Sequence, residues 1–439
     1  MMDIRPVGAV CLDLLLPVVN NTAVACRAAV AALALAGASV PAHAEQALDK
    51  PLPLSAAEFL GKVEKSNPRF EMIEGDVAAE EAAVTAAGLW ANPSLAYDRE
   101  EIPSEGQNFP ENIIRLELPL EISGRRRLKV QGAELGARAA RQTAVRAKKD
   151  VLLDALGVYL RAASARLRLD ALMQERAALS RLVVAMKSRT AAGESSGYDL
   201  DRVGLEADTL DDLVLDAGRE ITTYRGALGL LAGAPESRFD AGDELALPAL
   251  PIDAANGALL AARPDYQAAG LRVAQAEKEL TAAGRGWVPG LSLSGGTKSA
   301  VPERDTRWGY VAGITFTLPF LDFGQADAAR ARARLLTARA EQRLIEQQVL
   351  IQVNTSNDNL VRTVEQDRRF EDTQVPRLDR LVRRAEISYR EGERPIFELL
   401  DAYRTARGIR LRATELRLQA RLAELELWRA RGLGPGGNP

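Results

Sequence analysis

The chain has 439 residues, of which 47% are hydrophobic, 27% are charged and 5% are aromatic. This composition excludes a disordered chain and a polytopic helical membrane protein, and the abundant Ala, Leu and Arg favour long helices. The formal net charge is −3, from 57 basic and 60 acidic residues, so no overall basic excess points to nucleic acid.

The N-terminal segment has the pattern of an export signal. Arg27 precedes an apolar run from Ala28 to Val40, and Ala42-His43-Ala44 matches a small-x-small cleavage site. We therefore predict a signal peptide over residues 1–44. An alternative is that Cys26, which follows Ala-Val-Ala, is a lipid-anchored cysteine.

The residue types most often used in catalysis are confined to this segment. Cys11, Cys26 and His43 are the only cysteines and the only histidine, so the predicted mature chain has no thiol and no imidazole. That excludes Cys–His and Ser–His–Asp catalysis and the usual zinc sites. No phosphate-binding loop or nucleophile elbow occurs either. We expect no enzyme, no cofactor and no resident metal ion.

The mature chain repeats its landmarks at an interval near 200 residues. The offsets are 196, 197, 200 and 199 residues for four pairs: Asn67-Pro68 with Arg263-Pro264, Trp90 with Trp287, Pro119 with Pro319, and Gly193 with Gly392. One offset held across four landmarks indicates a duplicated unit. We predict a first repeat over residues 45–232, a connector over 233–252, a second repeat over 253–431 and a C-terminal tail over 432–439.

Each repeat is predicted to begin with one helix, about Ser55–Trp90 and about Ala254–Gly286, followed by a β-hairpin at about 93–121 and at about 288–320. The strands alternate: between Trp308 and Leu318 one face is apolar or aromatic and the other is mostly Gly and Thr. Segments of about ten residues suit tilted membrane strands. A hairpin on a soluble core is the alternative, which the export signal and the duplication disfavour. Four strands cannot close a barrel, so insertion into lipid requires several copies to share one.

A long helical hairpin completes each repeat, at about 124–232 and about 324–431. No proline occurs from Arg125 to Thr190, and only Pro376 occurs from Gln325 to Tyr389. Runs of that length span about 100 Å if unbroken. A lone hairpin has no core to bury its apolar stripe against, so neighbouring helices and an oligomer are expected.

The two turns between the long helices are candidate functional sites. Gly193 and Gly392 suit helix C-caps. Glu398 and Asp401 are three residues apart on one helix face, and in a symmetric oligomer around a pore they would form two stacked carboxylate rings. Ordinary complementation of a helix dipole is an equally good interpretation from the spacing alone.

Two charged patterns remain open. An acidic row recurs every fourth residue, whereas the corresponding helix of the second half is rich in arginine: Asp208, Asp212, Asp216 and Glu220; Arg404, Arg407, Arg410, Arg412, Arg417 and Arg421. These are solvated faces that pair with each other, or the acids line a conduit and concentrate cations. The run from Arg125 to Lys129 directly follows a strand and is either a surface patch or a contact for anionic headgroups at the bilayer interface.

The duplicated helix–hairpin–long helix–turn–helix unit resembles the outer-membrane efflux protein family, the TolC-like channels of Gram-negative bacteria. The segment from Leu118 to Arg127 looks most like the heavy-metal branch that serves cobalt-zinc-cadmium type pumps. The resemblance implies a mainly α fold with a small β part. Long α-helical hairpins would form a periplasmic α-barrel, and four strands from each protomer would build a trimeric 12-stranded transmembrane β-barrel.

The resemblance also implies a function and partners. The chain would be a homotrimeric, passive exit duct in the outer membrane that extends into the periplasm. A proton-driven inner-membrane pump would supply the cargo through a periplasmic adaptor, also called a membrane fusion protein. The alternative is a periplasmic coiled-coil adaptor or scaffold without a pore, which should lack paired membrane strands.

The family's closed aperture carries over onto individual positions. The aperture latch matches Tyr389, Arg394, Asp199 and Tyr198, and the acidic rings match Glu398 and Asp401. The turn tips that meet the adaptor match Gly193, Glu194, Ser195 and Ser196 in the first half and Gly392 and Glu393 in the second. These tips depart from the family's hydrophobic-and-hydroxyl pattern, and the residue that is a hydroxyl partner in the family is Tyr198 here.

Overall fold

The structure is a computed structural model that describes residues 51–104, 107–250, 256–301 and 305–437. The predicted signal peptide over 1–44 and Cys26 lie outside the described residues. The first half contains β1 (Leu52–Leu54), α1 (Ala56–Ser66), α2 (Pro68–Gly88), β2 (Ser94–Ser104), β3 (Gln107–Leu120), α3 (Arg125–Ala191) and α4 (Gly197–Leu231). After β4 (Phe239–Ala241) come α5 (Asn256–Ala262), α6 (Pro264–Ala283), β5 (Gly290–Ala300), β6 (Arg307–Thr317), α7 (Gln325–Thr373), α8 (Val375–Arg390) and α9 (Ile396–Arg431).

Each half opens with two helices, whereas the sequence predicts one. The breaks fall at Asn67-Pro68 and Arg263-Pro264, where each proline occupies the first turn of the second helix. Proline has no amide hydrogen and disfavours helical geometry in the residue before it, so each pair ends one helix and starts another.

The residue before each of these prolines is buried and makes an equivalent bond. Asn67 Nδ2 donates to the carbonyl of Leu231 at 3.1 Å, and the Arg263 guanidinium donates to the carbonyl of Ala430. The two carbonyls lie at the C-terminal ends of α4 and α9, where helix carbonyls lack intrahelical partners. Each break is therefore tied to the last helix of its own half.

The two long helices differ in continuity. Helix α3 runs unbroken for 67 residues, as the sequence predicts. Its counterpart is divided into α7, with 49 residues, and α8, with 16, at Gln374. Pro376 lies in the first turn of α8 and cannot donate to a preceding carbonyl, which accounts for the break.

One antiparallel sheet joins the two halves, with strand order β2-β3-β5-β6. The pairing of β3 with β5, which places Leu118 opposite Leu293, connects two hairpins that are far apart in sequence. Within the described residues, β2 and β6 are edge strands. A second, parallel pairing joins β1, at the start of the predicted first repeat, to β4 in the predicted connector, and the sequence analysis did not predict it.

The two largest apolar clusters of the described residues stabilise the helical part. In one, the stacked rings of Phe59 and Tyr159 lie 5.7 Å apart, and Tyr159 Oη donates to the carbonyl of Leu54 at 2.8 Å, which anchors β1 on α3. In the other, α9 of the second half packs into the α3–α4 hairpin of the first: Leu172, Leu179, Met186, Val203, Leu210, Leu399 and Leu400. No helix in the described part of the chain is apolar over enough of its length to cross a membrane.

Candidate pore and aperture residues

The four-stranded sheet presents one apolar face to the surroundings. Register places Leu95 opposite Leu116, Leu118 opposite Leu293, and Leu291 opposite Phe316, so these side chains share one face. Large side chains on this face are 40% to 91% exposed: Leu95, Tyr97, Ile114, Leu116, Leu118, Leu293, Trp308, Tyr310, Ile314 and Phe316. An exposed apolar surface of this extent marks contact with another protein or with a membrane.

The opposite face of the sheet is polar. It carries cross-strand ion pairs, Arg115 with Asp98 at 3.9 Å and Lys298 with Glu111 at 2.5 Å. Glycine, serine and threonine fill much of the rest: Ser94, Ser292, Ser294, Gly296, Gly309, Gly313, Thr315 and Thr317. This apolar-out and polar-in alternation is the pattern of a strand that separates lipid from an aqueous lumen.

The helix turns at the far end of the hairpins have the same backbone geometry in both halves. Gly193 and Gly392 adopt left-handed φ values of 76° and 78°. In each turn the glycine N–H and the following N–H bond back to the preceding helix: Gly193 to Thr190, Glu194 to Arg189, Gly392 to Tyr389, and Glu393 to Ser388. These are glycine C-caps, so that structural prediction is confirmed.

Around the second turn, Arg394 lies just before α9 and pairs with the first turn of that helix. Its Nη1 lies 3.0 Å from Glu398 Oε2, one turn along α9, and the Arg394 side chain is 61% exposed. Asp401 is also exposed, so both predicted ring carboxylates begin α9 on its accessible side. In this single chain Arg394 therefore pairs with Glu398, one of the two predicted ring carboxylates.

Tyr389 lies between the two hairpins. Its hydroxyl points to the sulfur of Met186, and the Arg189 guanidinium lies 5.7 Å from its ring centre. Burial raises the pKa of Tyr389; Arg189 opposes this rise, and the nearby negative charge of Asp199 adds to it. Of the predicted latch residues, Tyr389 thus contacts the first hairpin through Met186, whereas among the described contacts Arg394 bonds to Glu398 and not to Asp199.

The first turn places its remaining predicted residues at the surface. Ser196 caps α4 by accepting the N–H of Asp199 at 3.1 Å. Tyr198 is 66% exposed, and its hydroxyl accepts from Arg202 at 3.3 Å. Gly193, Glu194, Gly392 and Glu393 are likewise exposed, so both tips are accessible to a partner.

The acidic row does not pair with the arginines of the second half in the described chain. Asp208, Asp212 and Asp216 are exposed, Asp216 bonds to Arg219 on its own helix, and Glu220 lies 3.5 Å from Arg168 of α3. The row is a solvated face of the single chain, and its role as a conduit lining stays a prediction.

Two buried carboxylates, which the sequence analysis did not identify, connect the first half of the chain to the arginines of α9. Glu206 on α4 and Glu175 on α3 are 4% and 8% exposed. Arg407 of α9 lies between them, with Nη2 3.0 Å from Glu206 and Nη1 3.3 Å from Glu175. Arg404 adds a second guanidinium to Glu206. We call these four residues the buried charge cluster.

The two carboxylates of this cluster respond oppositely to their surroundings. For Glu175, burial raises the pKa more than Arg407 lowers it. For Glu206, burial also opposes ionisation, but the hydrogen bonds from Arg404 and Arg407 outweigh it and lower the pKa. Glu206 is thus held as an anion, while Glu175 is the member that takes up a proton more readily.

The signal for these residues is present in the sequence. Glu206 stands between Val203 and Leu210 at spacings of three and four, which places it in the apolar stripe of α4. Glu175 stands in the same relation to Leu172 and Leu179. Among the described residues, no group of three or more His, Cys, Asp or Glu side chains is placed to hold a metal ion.

Two hairpin layers of long helices attached to a sheet with an apolar outer face define the architecture of an outer-membrane channel. Solved structures share it: a membrane protein from Pseudomonas aeruginosa, with 20% identity and a TM-score of 0.74 over 86% of this chain and 92% of that one; and the Campylobacter jejuni CmeC outer membrane channel, with 15% identity and a TM-score of 0.73 over 86% and 85%. The predicted fold class is confirmed.

Sequence comparisons agree with the fold. Residues 257–433 match the family described as outer membrane efflux protein. The nickel-cobalt-cadmium resistance protein NccC of Alcaligenes xylosoxydans is 24% identical over 303 residues, which cover 65% of this chain and 67% of that protein. The resemblance of this chain to the outer membrane efflux protein family is thus confirmed, and the family match covers the second half of the chain.

Proposed function

We propose that three copies of this chain form a passive exit duct that crosses the outer membrane and continues into the periplasm. The observation that carries the proposal is the sheet: its apolar face is exposed, its polar face holds ion pairs, and β2 and β6 end it as unpaired edges in the described chain. Open edges are not tolerated in lipid. Pairing β6 of one copy with β2 of the next would remove every edge and close twelve strands into a barrel.

The long helices would continue the duct below the membrane. Helices α3 and α7 start at the sheet; α3 reaches the turn at Gly193, α7 is continued by α8 to the turn at Gly392, and α4 and α9 run back from these two turns. Three sets of these hairpins would form an α-barrel, with Glu398 and Asp401 lining its narrow end as acidic rings. Tyr389, Asp199 and Arg394 would hold the closed packing, and docking at the exposed tips would shift the population toward an open one.

A passive duct performs no work, so export requires an energy source and a protein that connects this source to the duct. We infer that an inner-membrane pump, driven by protons, delivers the cargo and that a periplasmic adaptor contacts the tips. For the cargo, the similarity to a nickel-cobalt-cadmium resistance protein favours divalent transition-metal cations. Acidic rings at the aperture suit a cationic cargo.

The proposal is tested by extracting the full chain from membranes and reconstituting it into planar bilayers. A channel requires detergent, migrates as a heat-modifiable trimer and conducts ions. A water-soluble particle without conductance would support a periplasmic adaptor and contradict a duct. The cargo is tested separately, in a host that lacks the gene: greater sensitivity to nickel, cobalt or cadmium, restored by the parent gene, is expected for metal export.

A further inference from the structure

The end of the sheet nearest the helices carries a row of exposed apolar side chains. All four junctions between strand and helix lie there, since β2 and β5 start and β3 and β6 end at this side. The exposed side chains at these junctions are Leu89, Trp90, Ile122, Trp287, Phe320, Leu321 and Phe323. In a membrane barrel, aromatic residues at the strand ends mark the level of the lipid headgroups.

A group of four basic side chains lies at one of these junctions, at the start of α3. We call Arg125, Arg126, Arg127 and Lys129 the basic patch. The Arg126 guanidinium lies 4.2 Å from the centre of the Trp90 ring and donates to the carbonyl of Gly88 at 2.8 Å. This positions a cation directly beside an exposed aromatic ring at the proposed headgroup level.

The negative charges near the patch do not neutralise it. Asp327 lies 4.0 Å from Arg125 Nη2, and the Glu121 carboxylate accepts the backbone N–H of Arg126 at 2.8 Å. Arg127 and Lys129 are exposed, and the described residues provide neither with an ion pair. Two of the four cations are therefore available to an external anion.

The corresponding junction of the second half shows that the patch is not needed to start a helix there. Helices α3 and α7 both follow a glycine with left-handed φ, Gly124 at 69° and Gly324 at 82°. Yet α7 begins Gln-Ala-Asp-Ala-Ala, with no basic residue before Arg330. Cations in the first turn also oppose the helix dipole, so the patch costs stability unless an anion balances it.

Resting on the proposed membrane position of the sheet, we propose that the basic patch binds the phosphate of an anionic phospholipid in the leaflet on the helical side. Arg127 and Lys129 contact the phosphate, and the acyl chains lie on the adjoining apolar surface at Trp90 and Ile122. Continuity of the patch with this apolar surface favours a lipid over free phosphate. A trimer would carry three such sites, one at each α3, alternating with the junctions at α7, which have no basic patch.

The test measures lipid retention by the detergent-purified full-length trimer with native mass spectrometry. Phosphatidylglycerol is the anionic probe, phosphatidylethanolamine the zwitterionic one, and inorganic phosphate the competitor. The variant is Arg127→Gln with Lys129→Gln, which spares Arg126 and its contact with Trp90. The matched control is Arg383→Gln with Arg384→Gln, two exposed charges on α8 far along the chain from the sheet.

We expect the parent to retain phosphatidylglycerol in preference to phosphatidylethanolamine, and the variant to lose about fivefold in that preference for each charge removed. The control should behave as the parent does. If the double variant does not assemble, the single substitutions Arg127→Gln and Lys129→Gln replace it, and each should reduce the lipid preference by about half as much on a logarithmic scale. Equal preference in parent and variant, equal loss in the control, or displacement of the lipid by inorganic phosphate would overturn the inference. A trimer that conducts but shows no lipid preference refutes this site alone, whereas a chain that neither trimerises nor conducts refutes the proposed function.

Discussion

Arg407 Nη2 lies 3.0 Å from the carboxylate of Glu206, although 201 residues separate them in the chain. The contact joins α9 of the second half to α4 of the first, and Glu175 of α3 approaches the same guanidinium from the other side. A buried arginine between two buried carboxylates is stable only if the partners stay in place, because an unpaired buried charge is costly. The buried charge cluster therefore links the two hairpins, whose relative movement opens the aperture in the proposed function.

Substituting Glu206→Gln should destabilise the protein. The variant loses charged hydrogen bonds from Arg404 and Arg407, and bonds of that kind contribute about 1.5–3 kcal/mol. Because the pKa of Glu206 is lowered from its ordinary value of 4.5, its stabilising effect is present above that value and is lost as the pH falls through the folded-state pKa. Thermal unfolding of the trimer in detergent should show a large difference between parent and variant at neutral pH and a smaller one below pH 4.5. A difference that grows on acidification would contradict the assignment.

Substituting Glu175→Gln should have the opposite pH dependence. Burial raises the pKa of Glu175 above 4.5, so the folded chain binds a proton at a pH where the unfolded chain does not. The parent therefore gains stability as the pH falls through the folded-state pKa toward 4.5, and the variant, which does not titrate there, gains nothing. The two variants serve as controls for each other in the same unfolding measurement. If the stability difference from the parent changed with pH in the same direction for both substitutions, the description of the cluster would be wrong.

Adjacent glycines of β5 should differ sharply in their tolerance of a methyl group. A Cβ at Gly296 would lie 2.9 Å from the Cα of Arg115 and would clash with the carbonyl of Ile114 on β3, whereas a Cβ at Gly295 meets nothing within 4 Å. Gly296→Ala should separate β3 from β5, which in the described part of one chain is the pairing that connects the two halves in this sheet. We expect loss of the heat-modifiable trimer on gels for Gly296→Ala and retention for Gly295→Ala. Normal assembly of both variants would argue against the register.

Removing Arg394 should leave a more open and more cation-selective pore. The substitution Arg394→Ala takes away a proposed latch residue and also uncovers Glu398, with which Arg394 pairs at 3.0 Å. Conductance and reversal potential in planar bilayers report the two effects separately. Arg390→Ala, an exposed arginine before the same turn, is the matched control. If Arg394→Ala channels conduct no better than the parent, the latch is wrong; if selectivity is unchanged, Glu398 does not face the pore.

Much of the candidate site could be predicted because its determinants are local. Gly193 and Gly392 follow long helices and can adopt the left-handed conformation that ends them, so their position in the turns follows from residue type. The alternation between Trp308 and Leu318 has a period of two, which specifies a strand with one apolar face whatever lies beside it. Glu398 and Asp401 are placed at the start of a helix by the same reasoning.

What the sequence by itself determined, then, was the repeated order of strands and helices and the polarity of their faces, because these depend on residues within a turn or two of each other. Only the tertiary structure decided that β3 pairs with β5, that Asn67 and Arg263 bond to the carbonyls of Leu231 and Ala430, and that Glu206 is buried against Arg407. Each of these depends on a partner well over a hundred residues away, and a charged side chain in an apolar stripe is tolerated only where the fold supplies its counter-charge. Local pattern shows which face of a helix is buried, but the identity of the group that meets it there is decided by packing.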